Sequence, residues 1–291
     1  MKQYRRKERR TRDIERIKVL RLLDDVFMKV VLKENIEGVQ DIIRVILNRK
    51  DIVVLDVKTQ DEYSNLVGHS VRIDVLARDA EGKYYNVEIQ RSESGAGEKR
   101  ARYHLGAVDW HTLPPGADYE DLPETWIIFI TETDLFEAGL AVYTINRYVE
   151  ETGRLFDDKG HILYVNGAYE GEDEIGLLMS DFRATDPKRM HYQSLAKKAQ
   201  FFKNTEGGMT SMCRVMEEVR KEGWEEGLEE GREEGREEGR EEGREEGRIL
   251  MIAALLANTS EDDLLHHTFF RQLHITQDEI DTARTWEFDE D

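Results

Sequence analysis

Asp74 and Glu88 are the residues whose type and spacing point most directly to chemistry. Val71 to Ala77 alternates apolar and polar side chains with period two. Tyr84 to Gln90 does the same, and Asp79-Ala80-Glu81-Gly82-Lys83 joins the two stretches. A three-residue loop with its glycine in the left-handed region is a favoured hairpin connection. It pairs Asp79 with Lys83, and counting back sets Asp74 opposite Glu88 and Arg72 opposite Gln90. Side chains alternate faces along a strand. Ile73, Val75, Ala77, Tyr85, Val87 and Ile89 are therefore expected on a core face. Arg72, Asp74, Leu76, Asn86, Glu88 and Gln90 are expected on the other. Like charges directly across a sheet destabilise it, so something must offset the two acids. A divalent cation held by carboxylate oxygens would do so. It could also activate a water and stabilise charge growing on a phosphate. An ion pair with Arg72, diagonal to both strands, is a second remedy, and screening by water is a third. Spacing alone leaves all three open.

Other reactive groupings are missing. Cys213 is the single cysteine, which excludes an internal disulfide and any multi-cysteine zinc or iron–sulfur site. Among the eight histidines, His266 and His267 are adjacent and His104 and His111 are seven apart, neither of which is a metal-ligand spacing. No glycine-rich loop ends in Lys-Ser/Thr. Ser64, Ser70 and Ser92 carry no triad signature, and Gly95-Ala96-Gly97 reads as a loop before a helix.

The elements that must position the acids follow from periodicity. Residues 14–32 form one helical stripe and residues 39–47 a second. Strands are expected at 52–57, 71–77, 85–89, 126–131, 141–148 and 161–165. Helices are expected from Gly97 to Trp110, at 175–182 and at 192–202. This order indicates a mixed α/β core. Lys99, Arg100 and Arg102 fall on the helix after the hairpin, placed either to meet phosphates or to solvate that helix.

The 291 residues are enough for one sizeable core with appendages. The net charge of −20 is unevenly spread. Residues 1–21 carry +7, which reads as a solubilising terminus or as an arm that touches phosphates. Residues 222–248 carry thirteen Glu, five Arg and a glycine at every fourth position. Each glycine costs a helix about 1 kcal/mol against alanine, so this repeat is expected to be a solvated, partly helical spacer. Beyond it, Ile249 to Ala257 reads as an apolar helix. Ser260 and the Thr276-Gln277-Asp278-Glu279 capping box open two more. The expected divisions are a basic arm at 1–21, a core domain at 22–220, the spacer at 221–248 and a small helical tail at 249–291. No apolar run reaches the roughly 20 residues that cross a bilayer, and the amino end lacks the apolar stretch of a secretory signal. The expectation is a cytoplasmic protein with no membrane partner.

Asp74, followed fourteen residues later by Glu88-Ile89-Gln90, resembles the core of the PD-(D/E)XK nucleases. The surrounding text is similar to the transposase-associated branch, the recombination-promoting nucleases. The matching stretches are Asp24-Asp25-Val26-Phe27-Met28-Lys29, Gly68-His69-Ser70-Val71-Arg72-Ile73-Asp74-Val75, Lys99-Arg100-Ala101-Arg102-Tyr103, Phe129-Ile130-Thr131-Glu132-Thr133-Asp134-Leu135-Phe136 and His161-Ile162-Leu163-Tyr164-Val165-Asn166-Gly167. The glutamate–glycine–arginine repeat is a familiar companion of that branch. The resemblance spans roughly residues 20–220. It implies a restriction-endonuclease-like α/β core with a mixed sheet flanked by helices, plus a charged helical C-terminal extension.

The resemblance also implies roles. Asp74 and Glu88 would ligate Mg2+ or another divalent cation such as Mn2+ or Ca2+, with the backbone carbonyl of Ile89 as a third oxygen. Asp25 would be an additional acid near the metal. Gln90 stands where the motif usually has lysine, so it supplies neutral hydrogen bonds only, and Lys29 or Arg72 is the available substitute charge. Proline is also absent before Asp74. The expected activity is a metal-dependent DNA endonuclease linked to recombination or mobile elements, with DNA as partner and no small-molecule cofactor. A homodimer is compatible with this, without a legible interface. The alternatives are a nuclease fold that only binds or assembles on DNA, for which Gln90 is the best argument, and an interaction protein working through the spacer and tail.

Overall fold

Trp126-Ile127-Ile128-Phe129-Ile130 is an unbroken apolar run, the signature of a strand covered on both faces. It forms the middle of the sheet in the computed structural model, which describes residues 2–63, 71–91, 96–266 and 270–285. Ser64, Gly68-His69-Ser70, Ser92, Gly95 and His267 lie outside the described residues.

The chain opens with helices α1 (Lys2–Val19), α2 (Asp25–Leu32) and α3 (Ile36–Leu47). Strands β1 (Val54–Tyr63), β2 (Val71–Asp79) and β3 (Tyr84–Gln90) follow, then α4 (Glu98–Thr112) and β4 (Thr125–Thr131). Next come β5 (Val142–Ile145), the short ribbon β6 (Tyr148–Val149) and β7 (Arg154–Leu155), and β8 (Gly160–Asn166). The remainder is helical: α5 (Glu174–Arg183), α6 (Gln193–Asn204), α7 (Glu206–Leu256), α8 (Glu261–His266) and α9 (Gln277–Thr285). Among the described residues the main sheet has six strands in the order β1-β2-β3-β4-β8-β5. β4 runs parallel to both β3 and β8, and the other neighbours are antiparallel.

Helices cover both faces of this mixed sheet. On one face Val75, Ala77, Val87, Ile89, Ile128, Ile130 and Val165 pack with the apolar sides of α2, α3, α5 and α6. On the other, Ile73, Leu76, Ile127, Phe129 and Tyr164 pack against Ala101, Leu105 and Val108 of α4. The helix α3 shows why the sequence complies. Asn35 caps its start by accepting from the Gly38 amide, Asn48 ends it in the left-handed conformation, and Val39, Ile42, Ile43 and Ile46 bury one stripe. By area, each such buried aliphatic side chain contributes about 1.5–3 kcal/mol.

Three expectations are corrected. The single helix over 14–32 is two helices. The Arg21 amide donates to Asp24 Oδ2 at 2.6 Å and the Leu23 amide to the Phe182 carbonyl at 3.2 Å, so the backbone leaves the helical path between Val19 and Asp25. The repeat is helical without a break inside the 51-residue α7. Its ends are anchored by burial, Met212 in the first core and Ile252 in a separate cluster with Leu264 and Ile280, and anchored ends offset the poor propensity of the glycines. The hairpin faces are the third correction. Ile73 sits with Leu76 on the α4 side, whereas Val75 and Ala77 sit on the opposite side. The strand therefore changes face at Asp74, and the two acids do not share the face expected of them: the Asp74 carboxylate meets Lys29 of α2, whereas that of Glu88 meets His104 of α4.

The contacts divide the chain into two compact units, Met1–Glu217 and Glu218–Asp291. In the second, Arg248 bonds the carbonyls of Leu273 and His274 and the carboxylate of Glu279. The capping box is formed, with Glu279 Oε2 accepting from the Thr276 amide at 2.9 Å. No described helix is long and apolar enough to cross a membrane.

Candidate active site

The β2–β3 turn has the expected register. The Asp79 amide bonds the Lys83 carbonyl at 3.1 Å, and Gly82 has φ +83°, which a side chain would strain. Pairing of β2 with β3 runs from Arg78↔Tyr84 to Val75↔Val87 and stops there. At the next level side chains replace backbone partners. Glu88 Oε1 accepts from the Asp74 amide at 3.0 Å, and Asp74 Oδ2 accepts from the Ile89 amide at 3.4 Å. Two carboxylates thus fill the gap where the strands part, which is the physical reason for the change of face at Asp74.

Both acids are buried, Glu88 completely and Asp74 to 7% exposure. Their surroundings are polar and unequal. Glu88 Oε1 also accepts from Asn86 Nδ2 at 2.8 Å and lies 3.5 Å from His104 Nδ1. Asp74 Oδ1 lies 2.9 Å from the Lys29 ammonium. Burial pushes the Asp74 carboxyl up to about 7, the charge of Glu88 adds to the rise, and Lys29 opposes it. For Glu88 burial acts in the same direction, but His104, Asn86 and the Asp74 amide outweigh it and hold that carboxyl below its ordinary value. The two carboxyls are therefore shifted in opposite directions, Asp74 up and Glu88 down.

Asp25 and Lys29 lie one turn apart on α2. The Lys29 ammonium bridges Asp25 Oδ2 at 2.8 Å and Asp74 Oδ1 at 2.9 Å. Burial disfavours that charge, yet Asp74 and Asp25 together raise the Lys29 pKa above its ordinary value. The structure thus joins Asp25, Lys29, Asp74 and Glu88 into one cluster. Ile89 contributes its amide. Gln90 is half-buried at the end of β3, its carbonyl accepting from the Glu132 amide at 3.0 Å, and its side chain makes no hydrogen bond among the described residues. Lys99, Arg100 and Arg102 are exposed on α4. Arg100 alone of these reaches toward the cluster, with Nε 3.4 Å from His104 Nε2. Arg72 is exposed on β2.

Sequence reasoning missed His104 and Asn86. His104 is 3% exposed, touches Glu88 and Asn86, and packs edge-on against Phe129 at 5.7 Å. A signal was present: His104 follows Arg100 by one helical turn, on the side of α4 that continues with the buried Leu105 and Val108. A second polar assembly fixes the start of α2. Arg21 pairs with Glu132 at 2.8 Å, and Arg91 pairs with Asp24 and Glu132 at 3.0 Å each. These pairs tie the α1–α2 junction to the ends of β3 and β4.

Among the described residues no three His, Cys, Asp or Glu side chains converge as a ready-made metal site. Two buried carboxylate oxygens, Glu88 Oε2 and Asp25 Oδ1, nevertheless have no hydrogen-bond partner there. An orphaned buried carboxylate oxygen is costly. Together with the raised Asp74 carboxyl, these all-oxygen donors fit a hard divalent cation.

A mixed sheet covered by helices on both faces, with two acids where adjacent strands part, is the architecture of the PD-(D/E)XK nucleases. The sequence profile of the PD-(D/E)XK nuclease family transposases matches residues 23–168, half of the chain, and the chain belongs to that family. The matched span holds Asp25, Lys29, Asp74, Glu88, Gln90 and His104. No curated protein and no solved structure matches the chain. The family relates the protein to nucleases of mobile elements, with DNA as the implied substrate.

Proposed function

We propose that the protein is a divalent-metal-dependent DNA endonuclease that hydrolyses phosphodiester bonds at the Asp74–Glu88 cluster. The observation that carries this reading is the buried acid pair, in which one Glu88 oxygen has no hydrogen-bond partner among the described residues and burial pushes the Asp74 carboxyl up. Asp74 and Glu88 would hold the cation, with Asp25 and the Ile89 carbonyl as further oxygens. A cation there supplies Lewis acidity toward a phosphate oxygen and lowers the pKa of a bound water.

The chain's own residues supply the rest. Asn86 and His104 hold Glu88 in its charged form and fix its orientation. Lys29 provides positive charge beside Asp74, in place of the lysine that Gln90 replaces. Gln90 orients water through neutral hydrogen bonds. Arg100 extends positive charge from the cluster to the exposed side of α4.

The second reading, a DNA-binding or assembly module with weak chemistry, is favoured by the Asp25–Lys29–Asp74 bridge, in which an ammonium already pairs with two of the acids. Plasmid nicking separates the two. Wild type with Mg2+ or Mn2+ is expected to relax supercoiled DNA. Asp74→Ala and Glu88→Ala are each expected to reduce nicking by about 100-fold or more, an electrostatic contribution of ordinary size, while retaining DNA binding. Equal nicking by wild type and both variants would sink the proposal.

A further inference from the structure

A surface cleft of about 340 Å³ lies at the far end of α4, lined in part by Asp56, Lys58, Arg78, Tyr84 and His111. Two routes lead to it from the acid cluster. Along β2, Asp74 to Arg78 is four residues, about 13 Å at strand rise. Along α4, His104 to His111 is seven residues, about 10 Å at helical rise. The two routes agree to within a few ångströms.

The outer side of α4 runs between the two places. Lys99, Tyr103, Gly106 and Trp110 recur at helical spacing and all are exposed, with Arg102 beside them. Tyr103 is 45% and Trp110 50% exposed. Trp110 meets His111 edge-on at 5.9 Å, so the aromatic stripe ends at the cleft. The acids along this path include Glu98, Asp109, Asp56 and, close to Asp109, Asp158. Asp109 is half-buried, and burial raises its carboxyl above the ordinary value. The basic groups are Lys99, Arg102, Lys58 and Arg78. Although the chain has a net charge of −20, this stretch places basic side chains between two exposed aromatics.

We propose that the outer side of α4 and the cleft at its end carry an unpaired nucleic-acid strand leading away from Asp74 and Glu88. The proposal rests on the nucleic-acid reading of that cluster and specifies the substrate: a strand with a single-stranded segment beside the scissile phosphate. Tyr103 and Trp110 offer faces on which bases stack, and stacking of this kind needs unpaired bases. A duplex presents phosphates and groove edges, for which exposed rings are no advantage. Arg78 and Lys58 would hold a backbone phosphate in the cleft, as charge-assisted donors.

The test is fluorescence anisotropy of the full-length protein at low salt with chelator present. The probes are a fluorescein-labelled 15-nucleotide single-stranded DNA of mixed sequence and the same DNA as a blunt duplex. The single strand is expected to bind at least tenfold more tightly. Trp110→Ala and Tyr103→Ala should each weaken it by about tenfold, and Trp110→Phe should restore most of the loss. Arg78→Ala should reduce the slope of log affinity against log salt by about 0.7, one phosphate contact on a single strand. Trp224→Ala, an exposed aromatic of the repeat helix, should change nothing. Equal or tighter duplex binding, no binding to either probe, or indifference to the α4 substitutions overturns the proposal. Because the measurement excludes divalent ions, it is separate from nicking. Nicking that fails while these results hold removes the catalytic reading alone. Nicking that succeeds while the α4 variants behave as wild type removes this inference alone.

Discussion

Asp74 and Glu88 are chemically alike, and their surroundings set them apart. Glu88 has three donors on one oxygen, whereas Asp74 has an ammonium and one long amide contact. A carboxyl pushed up to about 7 costs stability once it ionises. Its folded pKa lies above the roughly 3.9 of an unfolded aspartate. Between about pH 4 and pH 7 the folded chain therefore holds a proton that the unfolded chain has lost, and stability falls as pH rises through that window. Asparagine cannot ionise. Asp74→Asn is expected to stabilise the metal-free protein by about 1–3 kcal/mol at pH 8 and by much less at pH 4, read by chemical denaturation at both values. A variant less stable than wild type at pH 8 would show that Lys29 already compensates the charge in full.

At the scale of elements, the turn chemistry and the alternation were legible in the sequence. Gly82 set the hairpin register, the period-two pattern of β3 gave its faces, and the apolar run of β4 marked it as a buried strand. The change of face at Asp74 was not legible, because alternation assumes that backbone bonds continue past residue 75, and here carboxylates take them over. The polar second half of β1 and the break before α2 were hidden for related reasons. Both depend on partners distant in sequence, such as the Phe182 carbonyl for Leu23. The acid pair was legible as spacing, whereas His104 and Asn86 became visible only once α4 was laid on the sheet.

The junction of α1 and α2 is also held by Lys203 of α6. This buried residue, 4% exposed, places its ammonium on the carbonyls of Lys18, Leu20 and Thr185 and 4.9 Å over the Phe27 ring. Methionine would fill the space and leave three carbonyls without this donor. Lys203→Met is expected to cost about 2–4 kcal/mol and to lower Tm by roughly 5–10 °C, measured by calorimetry. A shift under about 1 °C would mean that water or neighbouring amides satisfy those carbonyls.

For the molecule as a whole, the charge map and the contact map divide at nearly the same place. The glutamate-rich repeat lies in the unit Glu218–Asp291, whose small core of Ile252, Leu264, Ile275, Ile280 and Ala283 is its own. The cores on both faces of the sheet draw every residue from Met1–Glu217. A Cβ at any glycine of the repeat would face open space, so packing does not explain them. A chain ending at Glu217 is expected to unfold cooperatively and to nick plasmid at a rate within about twofold of full length, since none of the cluster is removed. Loss of the cooperative transition in circular dichroism would show that the first unit depends on the second.

The measurement that bears most directly on the account is calorimetric titration of the metal-free protein with Mn2+ at pH 7, repeated in two buffers of different ionisation enthalpy. Because burial raises the Asp74 carboxyl, the account predicts saturable binding at one locus with net release of protons, abolished by Asp74→Asn and by Glu88→Gln. Wild-type protein that takes up no cation, or variants that bind it as wild type does, would contradict the account.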